Sequence, residues 1–159
     1  MSEDATFEDG AERPLRLKAM DGEDLQVLSA FLQDAVFPIT EMTWQSKARR
    51  FVMLLNRFRW EDAETATKRA RPVERVQSLL AIEDVLKIET QGIDQSEKDT
   101  VLSVLSMAWA PGEDGMGRLE LILAGDGALA FEVEALDVTL RDVTRPYRAV
   151  SGRVPKHEG

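Results

Sequence analysis

The string Asn56-Arg57-Phe58-Arg59-Trp60 is the most chemically specific in the chain. On a strand, side chains alternate between faces, so Arg57 and Arg59 share one. Two guanidiniums about 7 Å apart, by the strand rise, can fork onto a carboxylate or a phosphate. Arg49 and Arg50 precede them on the same expected hairpin. Asn56 falls among apolar residues, where an amide needs partners. It either reads a bound group or ties strand to loop, and Trp60 reads as core. Residues 47–75 hold nine basic residues and four acids, a local net of +5 in a chain whose formal charge is −9. That asymmetry points to an anion-facing patch for an acidic protein, a phosphorylated ligand or nucleic acid. Nucleic acid is the weakest of the three. Counterion release rewards dense positive charge, whereas the overall field is negative and no nucleic-acid module is legible. The competing reading is a solvated basic face with no partner.

Other chemistries find less support. There is no Cys, which removes disulfides, thiolate metal sites and Cys nucleophiles, and the one His, His157, stands three residues from the C-terminus. A Ser-His-Asp triad or an imidazole metal site therefore lacks its central part. Any metal would be a hard cation on carboxylates, and none is expected; no cofactor is expected either. Asp34, Glu83, Asp84, Asp94 and Asp137 are available carboxylates. Spacing pairs none of them, so an acid–base enzyme is the least favoured function. Asp34 follows the end of a helix, where a carboxylate opposes the dipole; the spacing predicts a partner for it, such as a salt bridge to an Arg. The glycines at 112–117 and 125–127 match no phosphate-cradling motif and read as hairpin turns. In Gln91-Gly92-Ile93-Asp94 the glycine reads as a turn with positive φ.

These residues need elements to hold them. Asp21 can cap a helix, with Asp24 three residues on. Leu25, Leu28, Phe31 and Leu32 then share one face, and Pro38 bars continuation. The rest reads mainly as strand. Met42-Thr43-Trp44 leads through a polar turn into Arg50–Trp60, apolar on both faces and so expected to be central. Residues 61–72 are polar, end in Pro72 and read as loop. Val76–Ile82 and Val85–Thr90 follow. Residues 101–110 fit helix or strand, and strand is preferred. Alternating runs at 119–124 and 129–133 flank Gly125-Asp126-Gly127, a hairpin signal. Val138–Val143 alternates again.

Met42-Thr43-Trp44 recurs as Met107-Ala108-Trp109, and Asp84-Val85 as Asp137-Val138. Without the loop 61–72, Leu54 aligns with Leu119, Phe58 with Leu123, Val76 with Leu129 and Leu80 with Val133. An internal duplication is one reading of this and chance the other. The expected fold is one α+β domain over 14–143, mostly antiparallel β with one N-terminal helix. Its sheet would be barrel-like or sandwich-like, with a pleckstrin-homology-like barrel as one version. Residues 1–13 read as an acidic flexible tail and 144–159 as a basic one. The acidic start reads as no signal peptide, and no run suits a membrane span, so a cytoplasmic protein with no membrane contact is expected.

Leu32-Gln33-Asp34-Ala35-Val36, Leu55-Asn56-Arg57-Phe58-Arg59-Trp60-Glu61 and Gln91-Gly92-Ile93-Asp94 carry a resemblance. Over about residues 14–147 the chain resembles an alphaproteobacterial family, domain of unknown function 2948. The resemblance implies a bacterial cytoplasmic protein and places no activity, cofactor or site on these positions. The functional expectation is a non-catalytic interaction domain using the basic hairpin face, with Asn56, Arg57, Arg59, Arg49 and Arg50 as its contact residues. Its partner would be a protein, a second copy included. A small-molecule or phospho-ligand binding domain is the alternative.

Overall fold

A computed structural model describes residues 14–146. The expected acidic tail at 1–13 and residues 147–159 of the basic tail expected at 144–159 lie outside these residues. Just before the second, the Gln77 amide donates to the Thr144 hydroxyl and accepts the Val143 N–H on its carbonyl. Ten strands and two helices follow in the order β1 (Arg16–Ala19), α1 (Gly22–Leu32), β2 (Val36–Pro38), β3 (Met42–Gln45), β4 (Arg50–Phe58), α2 (Ala63–Lys68), β5 (Arg75–Ile82), β6 (Val85–Gln91), β7 (Val101–Pro111), β8 (Gly117–Leu123), β9 (Ala128–Val133) and β10 (Val138–Asp142). The fold is α+β and mostly antiparallel β, as the alternating pattern predicts. Residues 101–110 are strand. Gly92 takes a φ of +67°, and a Cβ there would sit 2.9 Å from the Asp126 carbonyl oxygen.

Capping starts α1 where the sequence places it: the Asp24 amide donates to the Asp21 carboxylate at 2.8 Å. Leu25, Leu28 and Leu32 are buried, and the helix packs on β7 and β1. Two expectations fail nearby. Asp34 is exposed and makes no salt bridge among the described residues; it occupies the left-handed turn after the helix, with φ +66°. A short polar side chain tolerates that conformation, which is why the residue needs no cationic partner. The 61–72 segment is not simply loop. It holds a 3-10 turn at Trp60–Asp62 and then α2, whose Ala66 is fully buried. One small apolar side chain leaves too little periodicity to announce a helix. β1 and β2 were also missed, being four and three residues long.

The strands are hydrogen-bonded in the order β1-β10-β5-β4-β2-β7-β8-β9-β6, with β3 on β4 beside β2. This sheet folds back on itself. The Phe51 ring on β4 lies 4.9 Å from the Phe131 ring on β9, although three strands separate them in the order. One apolar core fills the enclosed space, from Leu80, Ile82, Val138 and Leu140 to Leu119, Leu121, Phe131 and Val133.

Strands β3-β4-β5 and β7-β8-β9 form two similar meanders, and each gives its next strand to the other: β6 pairs with β9, and β10 with β5. Where the two crossovers meet, Glu83 N–H donates to the Asp137 carbonyl and Glu134 N–H to the Asp84 carbonyl, both at 2.9 Å. Those reciprocal bonds match Asp84-Val85 with Asp137-Val138, as the sequence suggests, and Ile82 with Val133. The strand alignment needs correction: along β5, Ser78 and Ile82 rather than Val76 and Leu80 answer Leu129 and Val133, and on β3 Met42 rather than Trp44 answers Trp109. Leu119, Leu121 and Leu123 are buried, but Leu54 and Phe58 are only half-buried. The buried counterparts on β4 are Met53, Leu55 and Arg57. A slip of one residue exchanges the two faces of a strand, and a segment apolar on both faces hides the slip.

Candidate functional site

Arg57 therefore stands where the other half has Leu123, a core position. It is 0% exposed. Asp142 accepts from its Nε at 3.1 Å and its Nη2 at 2.9 Å, and Glu61 from Nη1 and Nη2 at 2.9 and 2.8 Å. The Ser78 hydroxyl accepts from Nε at 3.1 Å and donates to Asp142 at 2.8 Å. The Phe58 carbonyl takes a further N–H, and the guanidinium lies 5.9 Å from the Phe31 ring centroid. Every N–H direction of the fork thus meets the chain's own acceptors. Burial disfavours the charge on Arg57, but the hydrogen bond and charge of Glu61, then Asp142, outweigh it and hold its pKa above the ordinary arginine value. Burial likewise works against the Glu61 carboxylate. The Arg57 hydrogen bond, a backbone N–H and the charges of Arg57 and Arg59 outweigh it, so its pKa lies below 4.5.

The other expected contact residues are similarly engaged. Arg59, 4% exposed, pairs with Glu74 at 2.7 Å and lies 3.6 Å from Asp62, which Arg71 contacts at 2.8 Å. These pairs brace the 59–74 crossover on itself, and the Arg57–Glu61 and Arg57–Asp142 pairs tie it to β4 and β10. Arg49 and Arg50 are surface residues near the crossovers, paired with Glu134 at 2.7 Å and Glu83 at 2.9 Å. Asn56 is half-buried on the opposite face of β4 from Arg57, between Val36 and Gln77. The structure brings Arg57 and Arg59 together, and Arg49 with Arg50, but the five residues form no common surface. The open fork expected from spacing is filled, because Arg57 and Arg59 lie in phase with Phe51, Met53 and Leu55, the face that turns inward.

An open cleft with an apolar floor lies elsewhere. The cleft, of about 520 Å³, is lined by Ile39, Met42, Trp44, Phe51, Ile88 and Leu129, with Thr40, Thr90, Gln95 and Lys98 at its polar margin. Phe51, Leu129 and Ile39 are core residues that form its floor, whereas Trp44 is 41% exposed. Lys98 makes no ion pair among the described residues, and no carboxylate lines the cleft. Sequence reasoning nominated none of these residues as a site. Trp44 figures in the sequence only as part of a strand and of a repeat. The residues come from five separate stretches of chain, so spacing could not gather them.

Among the described residues, no group of His, Cys, Asp and Glu has the arrangement of a metal site, and no helix is long and apolar enough to cross a membrane. No curated protein and no solved structure matches the chain. A family model described as protein of unknown function (DUF2948) matches residues 15–157, nearly the whole length. The sequence resemblance and this match agree, and the chain belongs to the DUF2948 family.

Proposed function

We propose that the protein is a non-catalytic interaction domain of the cytoplasm, and that it engages its partner through the Trp44 cleft rather than through the basic hairpin face. The observation that carries this reading is an apolar floor left open at the surface beneath a half-exposed Trp. Burying such a floor under a partner is favourable by roughly 25 cal/mol per Å², and exposed Trp is enriched at interface centres. The arginines support the move. Arg57 and Arg59 are held by internal carboxylates, so an outside anion would have to displace them. A second reading, a small-ligand domain, draws on the cleft's volume of about 520 Å³, which lies within the range of small-molecule sites.

The test is a pull-down from native cytoplasm with the full chain and a Trp44→Glu variant shown to be folded by circular dichroism. A protein held by the native chain and released by the variant is the expected result. Equal capture by both baits overturns the cleft as the interface. A small molecule released on denaturing the native protein, with no protein captured, favours the second reading.

A further inference from the structure

The cleft is a gap in the strand order. From β4 the sheet runs through β2, β7, β8 and β9 to β6, while β3 lies alone on the other part of the same β4 edge. Among the described residues, nothing pairs with the outer edge of β3 or of β6. The two sides touch at one end, where Val85 N–H donates to the Arg49 carbonyl at 2.9 Å. At the other, Ile39 N–H reaches the Thr100 carbonyl at 2.9 Å. Between those ties, Met42 and Trp44 of β3 and Ile88 and Thr90 of β6 line the opening.

The other half of the molecule shows what such an opening takes. β10 is the counterpart of β6: Leu140 opposite Leu80 corresponds to Ile88 opposite Phe131. The outer edge of β10 is not bare, because β1 pairs with it antiparallel, Leu17 opposite Leu140 and Ala19 opposite Val138. Ala19 is buried and Leu17 partly so, while Arg16 and Lys18 face out. Among the described residues, the chain thus covers one of two equivalent edges with its own segment and leaves the other open.

We infer that the edge of β6 accepts an extended segment of a partner protein, which adds as an antiparallel strand in the gap towards β3. This inference rests on the reading of the protein as an interaction domain. Strand addition gives affinity through main-chain hydrogen bonds and specificity through alternate side chains. The matching segment has small or apolar residues at alternate positions, as β1 does, and an acidic group that meets Lys98.

The probe is a displayed library of random peptides of about ten residues, longer than a typical strand, selected on the full chain. The expected consensus alternates apolar residues and carries an acid. Its affinity falls roughly threefold to tenfold in Lys98→Glu, as reversal of a rim charge would give. Amide exchange slows in Val85–Gln91 and Met42–Gln45 when the peptide is bound. Peptides that bind but slow exchange elsewhere overturn the added strand and leave the interaction reading standing. Recovery of no peptide, with decanoate instead protecting the cleft, overturns both. Exchange in β6 that slows with protein concentration alone makes a second copy the occupant and overturns the partner segment.

Discussion

At the scale of single residues, Arg57 governs the region that the sequence marks as chemical. Removing one partner of a buried ion pair strands the others. Arg57→Ala is expected to cost about 3–5 kcal/mol in urea unfolding, whereas Arg50→Ala, which breaks a surface pair, costs about 1 kcal/mol or less. The other half suggests a repair. Arg57, Ser78 and Asp142 stand where Leu123, Leu129 and Thr90 stand in the second meander. Arg57→Leu combined with Ser78→Leu and Asp142→Thr should therefore be less destabilised than Arg57→Leu alone, because no buried carboxylate of β10 is left unpaired. Glu61 adds a pH dependence. Its folded pKa lies below the ordinary 4.5, so its stabilisation is present above that value and is lost as pH falls through the lowered one. The stability difference between the native chain and Glu61→Gln should be constant near neutrality and shrink progressively below about pH 4.5. The presence of Arg57 and Arg59 on one face was legible from their spacing. Their inward direction was not, because Val52, Leu54 and Phe58 on the opposite face are also apolar.

At the scale of elements, local chemistry was the most reliable guide. The Asp21 cap, the apolar stripe of α1 and the Gly125-Asp126-Gly127 hairpin each follow from contacts within a few residues. Asp21→Ala should cost about 1 kcal/mol in thermal or urea unfolding. A much smaller loss would mean that packing on β7 holds the first turn without the cap. The end of α1 is closed by contacts from far away: Trp60 Nε1 donates to the Gln33 carbonyl at 2.9 Å, and Asp34 N–H to the Val104 carbonyl. Trp60 is therefore a partly exposed clasp between the crossover and α1 rather than the core residue expected. β1, β2 and α2 are too short to show a period. Each exists because a neighbour supplies what its own sequence lacks: β10 pairs β1, β4 and β7 pair β2, and the Arg59–Asp62–Arg71 pairs hold the turn before α2.

At the scale of the molecule, the acidic balance and the local basic stretch are reconciled by internal pairing across the crossovers and the 59–74 segment. The exchanged strands make the two halves inseparable, since each meander lacks its fourth strand without the other. They also leave an asymmetry. Among the described residues, β5 has both edges paired and β6 only one. In native-state hydrogen exchange, β6 should therefore carry a fast-exchanging set of amides that β5 lacks, because strand amides turned to solvent are unprotected. Equal protection along both strands would show that the outer edge of β6 is covered in solution.

The sequence alone determined the class of fold, most of the strands, the first helix and its cap, and the family. All of these rest on side-chain periodicity and short-range hydrogen bonding, which are local quantities. It also showed a repeat, though one residue out of phase along β4 and two residues out of register along β3 and β5. Only the tertiary structure decided which face of β4 is the core, which carboxylates fill the arginine fork, and which of two equivalent strand edges is covered. Those outcomes depend on residues distant in the chain: Asp142 meeting Arg57, β1 reaching β10, and no described strand reaching the outer edge of β6. A chain read residue by residue specifies what each side chain can do, and the packing of distant segments selects which of those capacities face the solvent.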